Sequence, residues 1–299
     1  MTKLLVLGSE GFIGSHAVQY FRQIGYGVTC ADIVLKQAPD YLLINPELPD
    51  FSSIFSGRHY DVCINATGAA NVQLSFAYPA MDYMLNTVNV YNILDGLRQH
   101  NPGCKFINLS SAAVYGNPSS LPVEESHPIQ PLSPYGYHKW YSEQICRQFY
   151  LQHGLPTINL RLFSAYGAGL KKQLFWDLYN KVKKANGEIE LFGTGKESRD
   201  FIYVEDIAKA LKCVIEKGVF NGNAINVASG NETAIEDVVR IFLEAFGQKA
   251  AVRFTGNSKM GDPLNWRADI SVLGSMGFMP GIDIKEGIQK LATWLKNLN

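Results

Sequence analysis

The chain has 299 residues, 46% of them apolar, with 27 basic side chains against 27 acidic ones. That length suits one large α/β domain with a smaller appended lobe. The charge balance excludes a general binder of nucleic acid or acidic membranes, which needs a basic excess. No run approaches the roughly 18 apolar residues of a membrane span. The apolar run of the N-terminal MTKLLVLG is too short for a signal peptide and reads as a strand. Five cysteines (Cys30, Cys63, Cys104, Cys146, Cys213) are scattered, with no CxxC pair, as expected of buried thiols in a reducing, cytoplasmic compartment. Six histidines show no ligand spacing, so no metal is expected.

In chain order, residues 4–7 form a short apolar run entering a glycine turn, a buried strand. Helical periodicity covers 12–24. Strands are expected at 28–31, 61–66, 105–109 and 157–162, with helices at 83–100 and 135–153 between them. This alternation predicts a Rossmann-type, doubly wound parallel sheet covered on both faces. After Phe163 the texture changes. Helices are expected at 174–186, 204–217, 236–246 and 284–298, and short strands at 189–192 and 224–227. The expected division is a dinucleotide-binding domain over 1–165 and a discontinuous α/β substrate lobe over 166–198 and 229–299. Residues 199–228 partly return to the first domain.

Gly8-Ser-Glu-Gly11-Phe-Ile-Gly14 lies between the first strand and the first helix. Glycines there let the backbone approach a pyrophosphate, and the helix N-terminus offers unpaired N–H groups. Gly14 also permits close packing of helix on strand. Asp32 ends the second strand at the spacing of a carboxylate that binds the ribose 2′-hydroxyl and repels a 2′-phosphate. Ile33 and Val34 supply no arginine, which favours NAD over NADP, although Lys36 is close by. Read blandly, Asp32 is only a strand-end turn residue.

Ser133-Pro134-Tyr135 suits a helix start, with Ser133 as cap and Pro134 in the first position. Tyr135 and Lys139 then share a face, four residues apart. A cation near the positive end of a helix dipole is mildly unfavourable, a small argument for function. A free phenol has a pKa near ~10. A nearby ammonium and the helix N-terminus are expected to lower it and make Tyr135 a base. Ser110-Ser111 follow the strand at 105–109, at the edge where such sheets bind ligands. Alone, a Tyr/Lys pair reads as a surface pair and two serines as a turn; their joint occurrence below the glycine turn favours catalysis.

These motifs resemble the extended short-chain dehydrogenase/reductase family, specifically its nucleotide-sugar epimerases and dehydratases. The resemblance also rests on Asp61 to Gly68, Asn86 with Asn92, Ser110-Ser-Ala-Ala-Val-Tyr115-Gly, Tyr135-Gly-Tyr-His-Lys139, Arg161-Leu-Phe-Ser-Ala-Tyr-Gly167, Arg199-Asp-Phe-Ile-Tyr-Val204 and Arg267-Ala-Asp269. It implies NAD held by Gly8, Gly11, Phe12, Ile13, Gly14, Asp32, Ala66 and Lys139. It implies Ser111, Tyr135 and Lys139 as catalytic residues, with Ser164, Arg199 and Lys259 toward the substrate. It further implies a homodimer formed through the helices at 83–100 and 135–153.

The departures narrow the reading. Ala112 and Ala113 replace the Asp-Glu of the family's dehydratases, and the cysteine of its 3,5-epimerising members is absent. Ser164 stands for an Asn, Lys259 for an Arg and Asn65 for a His. The expected activity is NAD-dependent 4-epimerisation of a nucleotide-diphosphate sugar: Tyr135 takes the 4-hydroxyl proton, C4 gives and regains hydride, and the 4-keto sugar turns over between the two steps. The alternatives are an NAD(P)H-dependent 4-keto-sugar reductase and a non-catalytic dinucleotide binder. Neither the base nor the sugar is legible.

Overall fold

The computed structural model describes residues 1–184, 187–257 and 259–298. The first half runs β1 (Lys3–Leu7), α1 (Phe12–Gln23), β2 (Gly27–Asp32), β3 (Tyr41–Leu43), α2 (Phe51–Phe55), β4 (Val62–Asn65), α3 (Val72–Ala77), α4 (Pro79–Tyr83), a π-helical turn (Met84–Val88), α5 (Asn89–His100) and β5 (Lys105–Ser111). Then come a 3-10 turn (Ala112–Val114), α6 (Pro134–His153), β6 (Thr157–Leu162), β7 (Ser164–Tyr166), α7 (Gln173–Lys184), β8 (Glu188–Leu191), β9 (Ser198–Tyr203), α8 (Val204–Lys217), β10 (Ala224–Val227), β11 (Glu232–Ala234), α9 (Ile235–Phe246), β12 (Ala251–Phe254), α10 (Ser271–Ser275) and α11 (Ile284–Lys296).

Seven strands form one parallel sheet in the order β10-β6-β5-β4-β1-β2-β3. The order reverses at β1, so the C-terminal ends of β1 and β4 open a crevice there. Alternate side chains of these strands feed two apolar layers. One joins Leu4, Val6 and Ile64 to Phe21 of α1 and to Ile207, Leu211 and Val214 of α8. The other joins Leu5, Leu7 and Phe106 to Phe55 of α2, Ile93 and Leu97 of α5 and Phe149 of α6. The doubly wound expectation therefore holds.

The remaining strands pair separately, β11-β9-β7 and β12-β8, and pack with α7, α9 and α11 around Phe175, Phe201, Phe242 and Leu291. β10 inserts beside β6 in the large sheet, whereas β9 pairs with β7 and β11 in the smaller one.

The differences from the sequence reading have local causes. The helix expected over 83–100 begins at Pro79, whose fixed φ suits a first turn, and passes through the π turn. The strand expected over 105–109 runs on to Ser111, because Ser110 and Ser111 continue the ladder opposite Arg161 and Leu162. β3 and α2 carry too few residues for periodicity to register. Residues 185 and 186, the end of the helix expected over 174–186, lie outside the described residues.

Polar side chains inside the large sheet are paired. Asn65, Asn108 and Asn159 stand in register on β4, β5 and β6. Asn65 Nδ2 donates to Asn108 Oδ1 at 3.3 Å, and Asn108 Nδ2 reaches Asn159 Oδ1 and Ser142 Oγ, both at 3.0 Å. One strand-end further, Arg161 donates through Nε and Nη2 to the Glu143 carboxylate and through Nη1 to Tyr115 Oη, while Ser110 Oγ donates to Glu143 at 2.6 Å. These bonds fix α6 against the ends of β5 and β6. Arg161→Met leaves Glu143 buried with its charge uncompensated, and a loss of roughly 3–5 kcal/mol is expected. It should appear as a lower urea midpoint with an unchanged slope.

Candidate active site

The turn after β1 is built for a close backbone approach. A Cβ on Gly14 would stand 2.0 Å from the Gly8 carbonyl oxygen, and Gly8, at φ +78°, lies against the Ala66 backbone. Glycine alone fits at both places. Gly8 and Ser9 donate backbone N–H groups to the Ala31 carbonyl, so the turn is tied to β2. Gly11 caps α1 with no side-chain hydrogen bond, and α1 has no acidic residue in its first turn. Phe12 and Ile13 open that helix, with Phe12 reaching into the core of the smaller lobe.

Asp32 is buried and accepts from Glu10 N at 2.8 Å and Ile33 N at 2.7 Å. Lys36, the nearby cation, is paired with Glu10 at 2.9 Å. Glycine cradle, free helix N-terminus and strand-end carboxylate together fit a dinucleotide.

Across the crevice, Ser133 caps α6 by accepting from Gly136 N at 3.1 Å, with Pro134 in the first turn. Gly136 lets that turn rest on the segment after β5, since a Cβ there would sit 2.7 Å from the Ala113 carbonyl oxygen. Tyr135 and Lys139 are brought together with Ser111. The Lys139 ammonium lies 6.0 Å from the Tyr135 ring centroid and donates to the Leu109 carbonyl at 2.9 Å. Ser111 Oγ accepts from Ala113 N at 3.2 Å, and its hydroxyl is near enough to Tyr135 to favour the phenolate.

One expectation is corrected. Burial, not Lys139, dominates the phenol and pushes its pKa up to about 12; the Ser111 hydrogen bond lowers it and Asp82 raises it. Burial also pulls Lys139 down to about 8, against Asp82 and Glu143, which support its charge. In this state the pair does not make an acidic phenol.

The residues expected toward the substrate separate into two groups. Ser164 opens β7, half-buried and opposite Phe201. Arg199 donates to the carbonyls of Ser198 and Leu264 at 2.8 and 3.0 Å, with its guanidinium over Trp266. Lys259 lies over Phe192, and its charge and that of Arg199 both act on Asp262. The loop carrying Asp262 reaches the first domain: Gln73 of α3 donates to the Met260 carbonyl at 3.0 Å, and Gly261 rests beside Val72, Phe76 and Ser133.

The sequence reading missed the Leu109 carbonyl, the asparagine row and a buried contact between His138 Nδ1 and Asp82 Oδ2 at 2.6 Å. A usable signal existed for the asparagines: each of three apolar strands carries one at a comparable position.

The family model described as "NAD dependent epimerase/dehydratase family" matches residues 4–228, and the chain belongs to that family. It is 30% identical to a putative UDP-glucose 4-epimerase of Methanocaldococcus jannaschii, over 99% of both chains. Among solved structures it is similar to the UDP-glucuronic acid 4-epimerase of Bacillus cereus, in complex with UDP-glucuronic acid and NAD, at 25% identity and TM-score 0.89 over 100% of both chains. It is also similar to the UDP-N-acetylglucosamine 4-epimerase of Methanobrevibacter ruminantium, at 26% identity and TM-score 0.88, covering 100% of this chain and 99% of that one.

The depressed Lys139 pKa has a signed consequence. The folded chain releases this proton near pH 8 and the unfolded chain near 10.5, so stability rises with pH across that window. Lys139→Met should therefore melt several degrees higher than the parent at pH 7 without added nucleotide. That advantage should vanish by about pH 10.5 in melting curves recorded from pH 7 upward.

Proposed function

We propose that this chain is an NAD-dependent nucleotide-sugar 4-epimerase, with Tyr135 as acid–base residue, Ser111 holding the reacting oxygen and Lys139 supporting both. The observation that carries the proposal is the meeting of Tyr135, Lys139 and Ser111, largely out of water, at the C-terminal end of β5, the same edge of the parallel sheet at which the glycine turn follows β1. Gly8, Gly11, Phe12, Ile13, Gly14, Asp32 and Ala66 would hold NAD, which supplies a hydride acceptor and, once reduced, its donor. Tyr135 takes the proton of the sugar 4-hydroxyl and returns it after the sugar has turned. Ser111 directs its hydroxyl at the same oxygen. Lys139 holds the nicotinamide ribose and, as a cation, stabilises the phenolate. The positive charge of the oxidised nicotinamide also favours the phenolate, opposing the burial that raises its pKa.

Arg199 and Lys259 are the substrate lobe's cations for a diphosphate, and Ser164 faces the sugar side. Ala112 and Ala113 provide no acid to drive loss of water, which supports epimerisation over dehydration. The two-lobe division, 1–165 with part of 199–228 against the rest, follows from this reading. The relatives' names give UDP sugars as the class to test. The five free thiols suit a reducing cytoplasm.

Purified protein should carry NAD(H) through gel filtration and interconvert the C4 epimers of at least one of UDP-glucose, UDP-glucuronic acid and UDP-N-acetylglucosamine. Stoichiometric reduction of a 4-keto sugar by added NADH or NADPH, with no epimer formed, would overturn the proposal. Tyr135→Phe should lower kcat by about 10²-fold or more and leave NAD bound.

The homodimer implied by the family likeness would use α4, α5 and α6, which present the exposed rings of Tyr83, Tyr91, Tyr137 and Tyr141 beside Met84. Light scattering should give twice the 33.2 kDa chain mass. Tyr141→Lys together with Tyr83→Lys should give the single-chain mass.

A further inference from the structure

One buried carboxylate has no place in the reaction as drawn. Asp82, on α4, is 2% exposed. It is the only charged residue between Val72 and Val88, and thus across α3, α4 and the π turn. A carboxylate so placed is costly unless it is satisfied. Here Asn86 Nδ2 donates to its Oδ1 at 3.0 Å, and His138 Nδ1 meets its Oδ2 at 2.6 Å. His138 lies on α6 three residues after Tyr135, whose face it shares by helical spacing, and directly precedes Lys139 in the chain. The His138 carbonyl is held in turn by the Thr87 hydroxyl at 3.0 Å.

From the geometry we infer that Asp82 is a positioning residue for the acid–base pair: clamped by His138, its negative charge sets the protonation balance of Tyr135 and Lys139. The inference rests on the roles proposed above for those two residues.

The surroundings leave few competing charges. Elements packed on α4 contribute Tyr135, His138, Lys139 and Tyr141 from α6 and nothing charged from α3 or the π turn; α4 itself adds Tyr83. Charges acting on Lys139 come otherwise from Glu143, Cys146 and Lys172. Glu143 is already tied by Arg161 and Ser110. Asp82 is the carboxylate acting on both members of the pair: it holds the proton on Lys139, offsetting its burial, and opposes its loss from Tyr135. A carboxylate serving only to pin α4 to α6 could be a neutral amide with the same partners.

The test compares pH profiles of kcat/KM for holoenzyme with Asp82→Asn and with His138→Ala. Asp82→Asn keeps the size and deletes the charge, so both limbs should move to lower pH by about half a unit or more. His138→Ala leaves the carboxylate without the donor that offsets its field, so both limbs should move upward. Limbs coinciding with the parent in either variant that folds, or moving the same way in both, would overturn the inference. The Tyr135 titration also answers without turnover, as the ultraviolet phenolate difference between each NAD-loaded protein and its Tyr135→Phe counterpart. A chain that epimerises nothing would thus defeat the proposed function while still testing the role of Asp82.

Discussion

The constraint on which this structure turns is the burial of an ammonium group beside a phenol at the end of one strand. Lys139 has a carbonyl, not a carboxylate, in direct contact: its Nζ donates to Leu109, and the nearest negative charges act from further away. Burial without a contact ion pair is costly, and here it pulls the lysine pKa down to about 8. Such a group persists when the surroundings hold it in one place. Pro134 and the Ser133 cap start α6 at a fixed point, Gly136 seats it on the Ala113 backbone, and the Asn108–Ser142 and Glu143–Arg161 bonds tie it to β5 and β6. Each tie lies within a few residues of Tyr135 or Lys139 along the helix, so precision is greatest where the chemistry would need it.

Those same ties explain which features were legible beforehand. The large sheet could be read because its strands are apolar runs buried on both faces, bounded by glycines and separated by helices long enough to show a period. Gly8, Gly14, Asp32, Tyr135 and Lys139 are marked by local sequence: a turn, a strand end, a spacing of four. The Asp82–His138 contact spans 56 positions and the Gln73–Met260 bond 187. No local pattern encodes either, since topology alone brings the partners together. Short elements such as β3, β7 and α2 were invisible for another reason. Three to five residues carry less than two helical turns or two strand periods, and the chain adopts those shapes because a neighbouring strand or core residue is already there.

The phenol shows where local reasoning goes astray. Spacing correctly places an ammonium on the same helical face as Tyr135, and an ammonium does favour a phenolate. The reasoning assigns no weight to burial, which is a property of the whole fold. Tyr135 is enclosed by α3 and the turn after β5, with Ser75 of α3 accepting from its backbone N–H at 3.1 Å. Desolvation then outweighs every charge in the neighbourhood. A positive charge brought beside the ring, as an oxidised nicotinamide would bring, would oppose that desolvation and favour the phenolate.

The burial of Tyr135 and Lys139 also bears on hydride-transfer chemistry of the proposed kind. An enzyme that returns hydride to the molecule it came from must retain an intermediate through a rotation, and exclusion of water protects it meanwhile. The bond from Gln73 of α3 to the Met260 carbonyl, with Gly261 beside Val72 and Phe76, joins this segment to the large-sheet half of the chain. The same segment is tied again a few residues on, where Leu264 N donates to Asn117 Oδ1 at 2.7 Å and Trp266 Nε1 donates to the Gly116 carbonyl at 3.0 Å. The deep part of the site is likewise held, by the buried Arg161–Glu143 pair and by hydrogen bonds of the Asn108 amide. Ties on both sides of the Tyr135–Lys139 pair thus keep it out of water, which is what retention of an intermediate would need.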